Sequence, residues 1–112
     1  MRKLSYLLLL LLALPATAND DALWIDVRTP EEFAAGHLVG AINIPHDQIA
    51  TRIAEVARDP QQPIRLYCRV GRRAQMAKVA LEAQGYDKVT NEGGFDDLRA
   101  RVAAAGSCGT NC

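Results

Sequence analysis

Short apolar segments alternate along this chain with segments whose apolar residues recur at helical spacing. The candidate strands cover residues 23–27, 41–44, 64–67 and 88–90, and the candidate helices cover 29–36, 47–56, 72–84 and 95–105. Successive strands are separated by enough residues for a crossover helix, which parallel strands need and hairpins do not. We therefore predict an α/β fold in three layers, with a mostly parallel sheet of four to five strands and helices on both faces.

The N-terminal segment 1–18, MRKLSYLLLLLLALPATA, has the pattern of a secretory signal peptide. Two cations, Arg2 and Lys3, precede an apolar run, and small residues end the segment, so we predict cleavage after Ala18. The apolar run is shorter than the roughly 20 residues that a membrane-spanning helix needs. We expect an exported protein with no membrane contact after cleavage, and one domain over residues 19–107.

The charge balance of the remaining chain excludes one broad class of partner. Of the 13 Lys and Arg residues, Arg2 and Lys3 lie in the signal segment, which leaves 11 basic against 13 acidic side chains. This near-neutral balance provides no basic patch of the kind that binds nucleic acid or anionic lipid. We expect no nucleic-acid partner.

The predicted export affects how the three cysteines are interpreted. In an oxidising compartment an odd number of cysteines leaves at least one thiol without an intramolecular partner. Cys108 and Cys112, in the C-terminal tail 108–112, are close enough in sequence to form a disulfide with each other. Cys68 is then the remaining thiol.

Cys68 lies in the segment LYCRVGRRA, at the end of a candidate strand and just before a candidate helix. Ligand sites of parallel sheets lie at this edge. The backbone amides of the loop, the positive end of the helix dipole and nearby guanidinium groups would all favour a thiolate and could hold a small anion. The candidate nucleophile is Cys68, and the candidate binding residues are Arg69, Val70, Gly71, Arg72 and Arg73.

Three motifs together resemble a known family. They are WIDVRTPEEFAAGHLVGAINIP at 24–45, LYCRVGRRA at 66–74 and NEGGFDDL at 91–98, in this order. The chain resembles a single-domain rhodanese, a thiosulfate sulfurtransferase, and in particular the short exported type found in bacterial periplasms. The resemblance implies a rhodanese-like fold and a periplasmic location.

The resemblance also implies a mechanism. Cys68 would take a sulfane sulfur from an anionic donor such as thiosulfate, and an acceptor, cyanide or a thiol, would remove it from the resulting persulfide. The loop 68–73 would bind the donor and stabilise the persulfide. Asp26 and Arg28 would be a supporting, chiefly structural pair, and His37 a turn residue. We expect a monomer that uses no metal and no cofactor.

Two other functions remain open from the sequence. A rhodanese-like arsenate reductase or phosphatase would also use a cysteine in an oxyanion-binding loop, although such loops are one residue longer than this one. Tyrosine phosphatases need an arginine six positions after the cysteine, where this chain has Ala74. A non-catalytic sulfur carrier or binding module is the second alternative.

The tail also has more than one interpretation. We favour a Cys108–Cys112 disulfide, although so small a loop would stabilise the fold little. Alternatively, one of these thiols receives sulfur from Cys68 or resolves its oxidised form. A zinc site is less favoured because the usual two-residue spacer between cysteines is missing.

Overall fold

The computed structural model describes residues 21–104. The predicted signal peptide and the tail with Cys108 and Cys112 therefore lie outside the described residues, and so do the predictions made for them. The strands are β1 (Leu23–Asp26), β2 (Ile42–Asn43), β3 (Ile64–Cys68) and β4 (Val89–Gly94), and the helices are α1 (Pro30–Ala35), α2 (Ile49–Arg52), α3 (Arg72–Ala83) and α4 (Phe95–Ala104). A short 3-10 helix at Ile53–Glu55 follows α2. No helix within residues 21–104 is long and apolar enough to cross a membrane.

The four strands form one parallel sheet in the order β2-β1-β3-β4. The chain leaves β1 toward β2 on one side and returns to β3 on the other side of β1, so neighbouring connections diverge between β1 and β3. In open parallel sheets, ligands bind at the carboxyl edge where the connections diverge. The carboxyl end of β3, where Cys68 lies, belongs to this edge.

Helices cover both faces of the sheet, as predicted. On one face, Ile25 and Leu66 of the sheet pack with Ile49 of α2 and Leu81 of α3 in the larger core cluster. On the other face, Tyr67 packs with Leu38, Ala41 and Leu98, next to the partly buried Trp24 and Phe95. Each large aliphatic side chain removed from water in these clusters contributes about 1.5–3 kcal/mol before the cost of ordering it.

Local sequence explains where the two helices nearest the site begin. Thr29 caps α1: its hydroxyl accepts the Glu32 N–H at 3.1 Å, while the Glu32 carboxylate accepts the Thr29 N–H at 3.0 Å. This reciprocal capping box, with Pro30 at the first helical position, fixes the start of the helix. Helix α3 begins without a side-chain cap after Gly71, whose φ of +95° is favourable for glycine.

Strand β4 is longer than its sequence predicts. The prediction covered 88–90, because the polar and glycine-rich NEGG segment that follows has low strand propensity. The structure extends the strand to Gly94, with Leu66 opposite Asn91 and Cys68 opposite Gly94. The register shifts between these two pairs, so β4 has one extra residue there. Pairing with β3 outweighs local propensity.

Candidate active site

Cys68 is held at the end of β3 in a fully buried position. Its exposed fraction is 0%, and it belongs to the larger core cluster together with Ala74 and Ala77 of α3. The backbone N–H of Gly71 donates a hydrogen bond to its Sγ at 3.0 Å. A backbone dipole directed at the sulfur favours a negative charge there. The thiol is thus fixed from one side by its strand and from the other by the loop.

The loop that follows Cys68 is short, because α3 already begins at Arg72. The side chains of Arg69 and Val70 are exposed, whereas Arg73 is partly buried. The first N–H groups of a helix have no acceptor within the helix, so the start of α3 presents positive partial charge next to the loop. The loop and helix start predicted from the sequence therefore lie together beside the sulfur.

Strand β4 supports this loop through residues whose roles the sequence analysis missed. The Asn91 amide donates to the Gly71 carbonyl oxygen at 2.9 Å, and its carbonyl oxygen accepts the Gly93 N–H at 2.9 Å. The Arg69 carbonyl packs directly on Gly94, so closely that any Cβ there would overlap its oxygen. The NEGG segment carries the resemblance, but its composition alone did not reveal these contacts.

The arginines of the loop are not equivalent. Arg73 forms a two-point ion pair with Glu32 of α1, with nitrogen–oxygen distances of 2.7 and 3.1 Å. Arg69 lies 4.0 Å from the same carboxylate and has 72% of its side chain exposed. Arg72 is exposed to solvent. Of the three predicted anion-binding arginines, the structure thus brings Arg69 and Arg73 to one carboxylate.

Electrostatics connects Glu32, Arg73 and Cys68. The hydrogen bond from Arg73 is the main cause that lowers the pKa of Glu32 from 4.5 to about 2, and contacts with Thr29 contribute. The pKa of Arg73 is raised first by its hydrogen bond to Glu32, and the neighbouring Cys68 sulfur adds to the effect. Arg73 is therefore a permanent cation beside the sulfur. The sequence presented Glu32 only as a first-turn acid, with no signal that it belongs to the site.

Asp26 and Arg28 form a buried pair with a structural setting. The Arg28 Nε donates to both Asp26 oxygens at 2.9 and 3.0 Å, and its Nη2 donates to Asp26 Oδ2 and to the Gly36 carbonyl, each at 2.6 Å. The guanidinium also lies 4.4 Å from the ring centre of Phe95. Asn43 donates to the backbone carbonyls of both Asp26 and Arg28. The pair ties β1 to the turn after α1 and to α4.

His37 lies outside the reacting groups. It is exposed, its ring stacks on Phe33 with 3.6 Å between ring centres, and its Nδ1 lies 2.8 Å from the Phe33 carbonyl oxygen. This setting is that of a turn residue. Within residues 21–104, no three His, Cys, Asp or Glu side chains form a group that could hold a metal ion.

A buried cysteine at the carboxyl end of a central parallel strand, followed by a short loop and a helix start, defines a class of α/β proteins with a thiol at the ligand-binding edge of a parallel sheet. Comparison with known proteins identifies the family within this class. The model of the Rhodanese-like domain family matches residues 11–101, and the chain belongs to this family. The family and the fold predicted from the sequence are thereby confirmed.

Individual relatives agree. Thiosulfate sulfurtransferase PspE of Escherichia coli (strain K12) is 41% identical over 91 residues, covering 81% of this chain and 86% of that protein. Thiosulfate sulfurtransferase GlpE of Pseudomonas putida is 33% identical over 93 residues, covering 82% and 83%. A solved structure described as rhodanese with anions from E. coli is 42% identical with a TM-score of 0.66, covering 68% of this chain and 89% of that one. These relatives support the predicted sulfurtransferase class.

Proposed function

We propose that this protein is a thiosulfate sulfurtransferase that carries the transferred sulfur as a persulfide on Cys68. The observation that carries the proposal is the setting of the sulfur: the Gly71 N–H donates to it, and the Arg73 cation lies beside it. Relatives of similar length are named thiosulfate sulfurtransferases, which supports the same reaction class.

The proposed cycle has two nucleophilic steps. First, the Cys68 thiolate attacks the outer sulfur of thiosulfate. A new S–S bond forms, the S–S bond of the donor breaks, and sulfite leaves with the electron pair. Second, cyanide or a thiolate attacks the outer sulfur of the persulfide, and Cys68 leaves as a thiolate. Splitting one transfer into two displacements is covalent catalysis, and it requires no metal or organic cofactor.

The site suits both steps because its positive groups belong to the protein and remain next to the sulfur throughout the cycle. Loop amides and the start of α3 stabilise negative charge on the thiolate and on the outer sulfur of the persulfide. Arg69 and Arg72 are exposed and can attract an anionic donor from solution. Asp26 and Arg28 have a structural role, because they hold β1 against the turn after α1 and against α4.

We also propose the cellular setting that the sequence predicts. The protein is exported with cleavage after Ala18, the rhodanese-like domain covers 19–107, and it works as a monomer in the periplasm. Cys108 and Cys112 form a disulfide in the tail. The N-terminal residue of protein recovered from the periplasm tests export and cleavage. Its thiol count, compared with that of the cytoplasmic precursor, tests the disulfide, and sedimentation measures the oligomeric state.

Intact mass after incubation with thiosulfate tests the catalytic proposal. We expect a gain of one sulfur atom that cyanide removes. The gain should persist in the Cys108→Ser/Cys112→Ser double variant, in which Cys68 is the remaining cysteine, and vanish in Cys68→Ser. Circular dichroism should show that both variants stay folded. No gain on a reduced Cys68 would contradict the proposal and favour a phosphatase or an arsenate reductase, and then a non-catalytic carrier.

A further inference from the structure

Glu32 is an acidic residue of α1 that contacts two arginines of the loop after Cys68. Its two carboxylate oxygens accept one hydrogen bond each from the two terminal nitrogens of Arg73. The same carboxylate lies 4.0 Å from a terminal nitrogen of Arg69. Two of the three loop arginines therefore converge on one anion that comes from another part of the chain.

The geometry of this contact is that of an arginine with an oxyanion ligand. A guanidinium group binds carboxylates and other oxyanions through the same two parallel N–H···O bonds. The sulfonate end of thiosulfate and the product sulfite carry oxygens that could take both positions. Arg73 cannot donate these two hydrogen bonds to Glu32 and to thiosulfate at the same time.

We propose that the Glu32 carboxylate competes with the anionic sulfur donor for binding to Arg73. In the free protein its carboxylate occupies Arg73 and draws Arg69 toward it. Donor binding exchanges these contacts for the oxygens of thiosulfate, and the ion pair forms again as sulfite leaves. The inference rests on the proposed function, which supplies the donor, and it adds a residue that limits donor affinity and promotes product release.

The exchange moves Arg73 rather than Glu32. The Glu32 Oε1 is also held by the Thr29 N–H at 3.0 Å and by the Thr29 hydroxyl at 3.1 Å, so the carboxylate is anchored to the start of α1. Arg73 has a long side chain with 26% of its surface exposed. Because the pKa of Glu32 lies at about 2, the competing charge is present at every pH used in an assay.

Glu32→Gln provides the test, because the glutamine amide oxygen can keep the hydrogen bonds of the capping box. The substitution removes the charge and replaces the second oxygen that accepts from Arg73 with an N–H donor. We expect the variant to bind oxyanions more tightly. The KM for thiosulfate and the inhibition constant for sulfite should both fall, by about tenfold if one charged hydrogen-bonded contact is removed from the competition. Glu31→Gln is the matched control: it removes the same charge from the neighbouring, exposed acid in the first turn of α1, so KM should stay close to that of the wild type.

A binding measurement separates this inference from the proposed reaction. Sulfate is titrated calorimetrically, at constant ionic strength, into Cys68→Ser and into Cys68→Ser/Glu32→Gln. Tighter sulfate binding by the double variant supports competition. Equal or weaker binding overturns it and makes Glu32 a residue that positions Arg73. Failure of the catalytic proposal would be seen in the mass measurement instead, as the absence of added sulfur on Cys68 of the wild-type protein.

Discussion

Packing between β4 and the loop after Cys68 makes Gly94→Ala a sharp structural perturbation. A Cβ at this position would overlap the Arg69 carbonyl oxygen and lie 3.2 Å from the carbonyl carbon and 3.4 Å from the Val70 Cα. All three neighbours are backbone atoms, so no side chain can rotate out of the way. The loop itself has to lift away from the strand.

The size of the effect follows from the contact. Forcing a methyl group into a packed region costs about 1–3 kcal/mol, and we expect the free energy of unfolding to fall by that amount. The shift also displaces Gly71, whose N–H holds the Cys68 sulfur at 3.0 Å. Because a misplacement of about 1 Å can cost about 100-fold in rate, we expect persulfide formation to slow by about 10- to 100-fold.

Urea denaturation gives the stability, and quenched-flow mass measurement gives the rate of persulfide formation. Gly93→Ala is the neighbouring control: its φ of +101° makes alanine strained, but apart from its two chain neighbours no atom of the described residues lies within 4 Å of the added Cβ. It should lose about 1–2 kcal/mol of stability through strain and retain most of the rate. A Gly94→Ala protein that forms the persulfide at the wild-type rate would refute the argument that this contact sets the loop.

Two further predictions concern the charged pairs. Asp26→Ala leaves the buried Arg28 cation without its counter-charge, so it should lower the free energy of unfolding in urea by about 3–5 kcal/mol. The double variant Asp26→Ala/Arg28→Met should recover part of this loss. An unchanged denaturation midpoint for Asp26→Ala would contradict a structural role. Because folding lowers the pKa of Glu32 from 4.5 to about 2, its contribution to stability is complete above pH 4.5 and is lost as the pH falls toward 2. The free energy of unfolding of Glu32→Gln should therefore depend less steeply on pH in that range than that of the wild type. Equal slopes for the two proteins would be the contrary result.

The fold and the position of Cys68 were accessible from the sequence because both depend on local patterns. Apolar runs separated by crossover-length helices predict a parallel sheet, and a cysteine between such a run and a helix start must lie at the carboxyl edge. Gly71 likewise follows from a local need, since the chain turns there with a positive φ. In each case the information lies within a few neighbouring residues.

The partners of the loop were not accessible because they come from distant parts of the chain. Glu32 and Arg73 are 41 positions apart, and Asn91 is 20 positions from Gly71. Glu32 also has a sufficient local explanation in the capping box, which concealed its second role. A glutamate at the third position of a helix indicates a cap whether or not its other oxygen reaches an arginine.

The residues that the sequence did not reveal divide the control of the candidate site between the two strands that flank β3. The position of the sulfur depends on β3 and on β4, whose Asn91 and Gly94 fix the loop that holds Cys68. The charge around the sulfur depends on α1, which follows β1 and carries Glu32 to Arg73. Substitutions of Asn91 and Gly94 should therefore change the rate of sulfur transfer more than oxyanion affinity, and substitutions of Glu32 should do the reverse. Because Cys68 and the carboxylate that neutralises Arg73 are held by separate elements, we expect that oxyanion affinity can change without moving the sulfur.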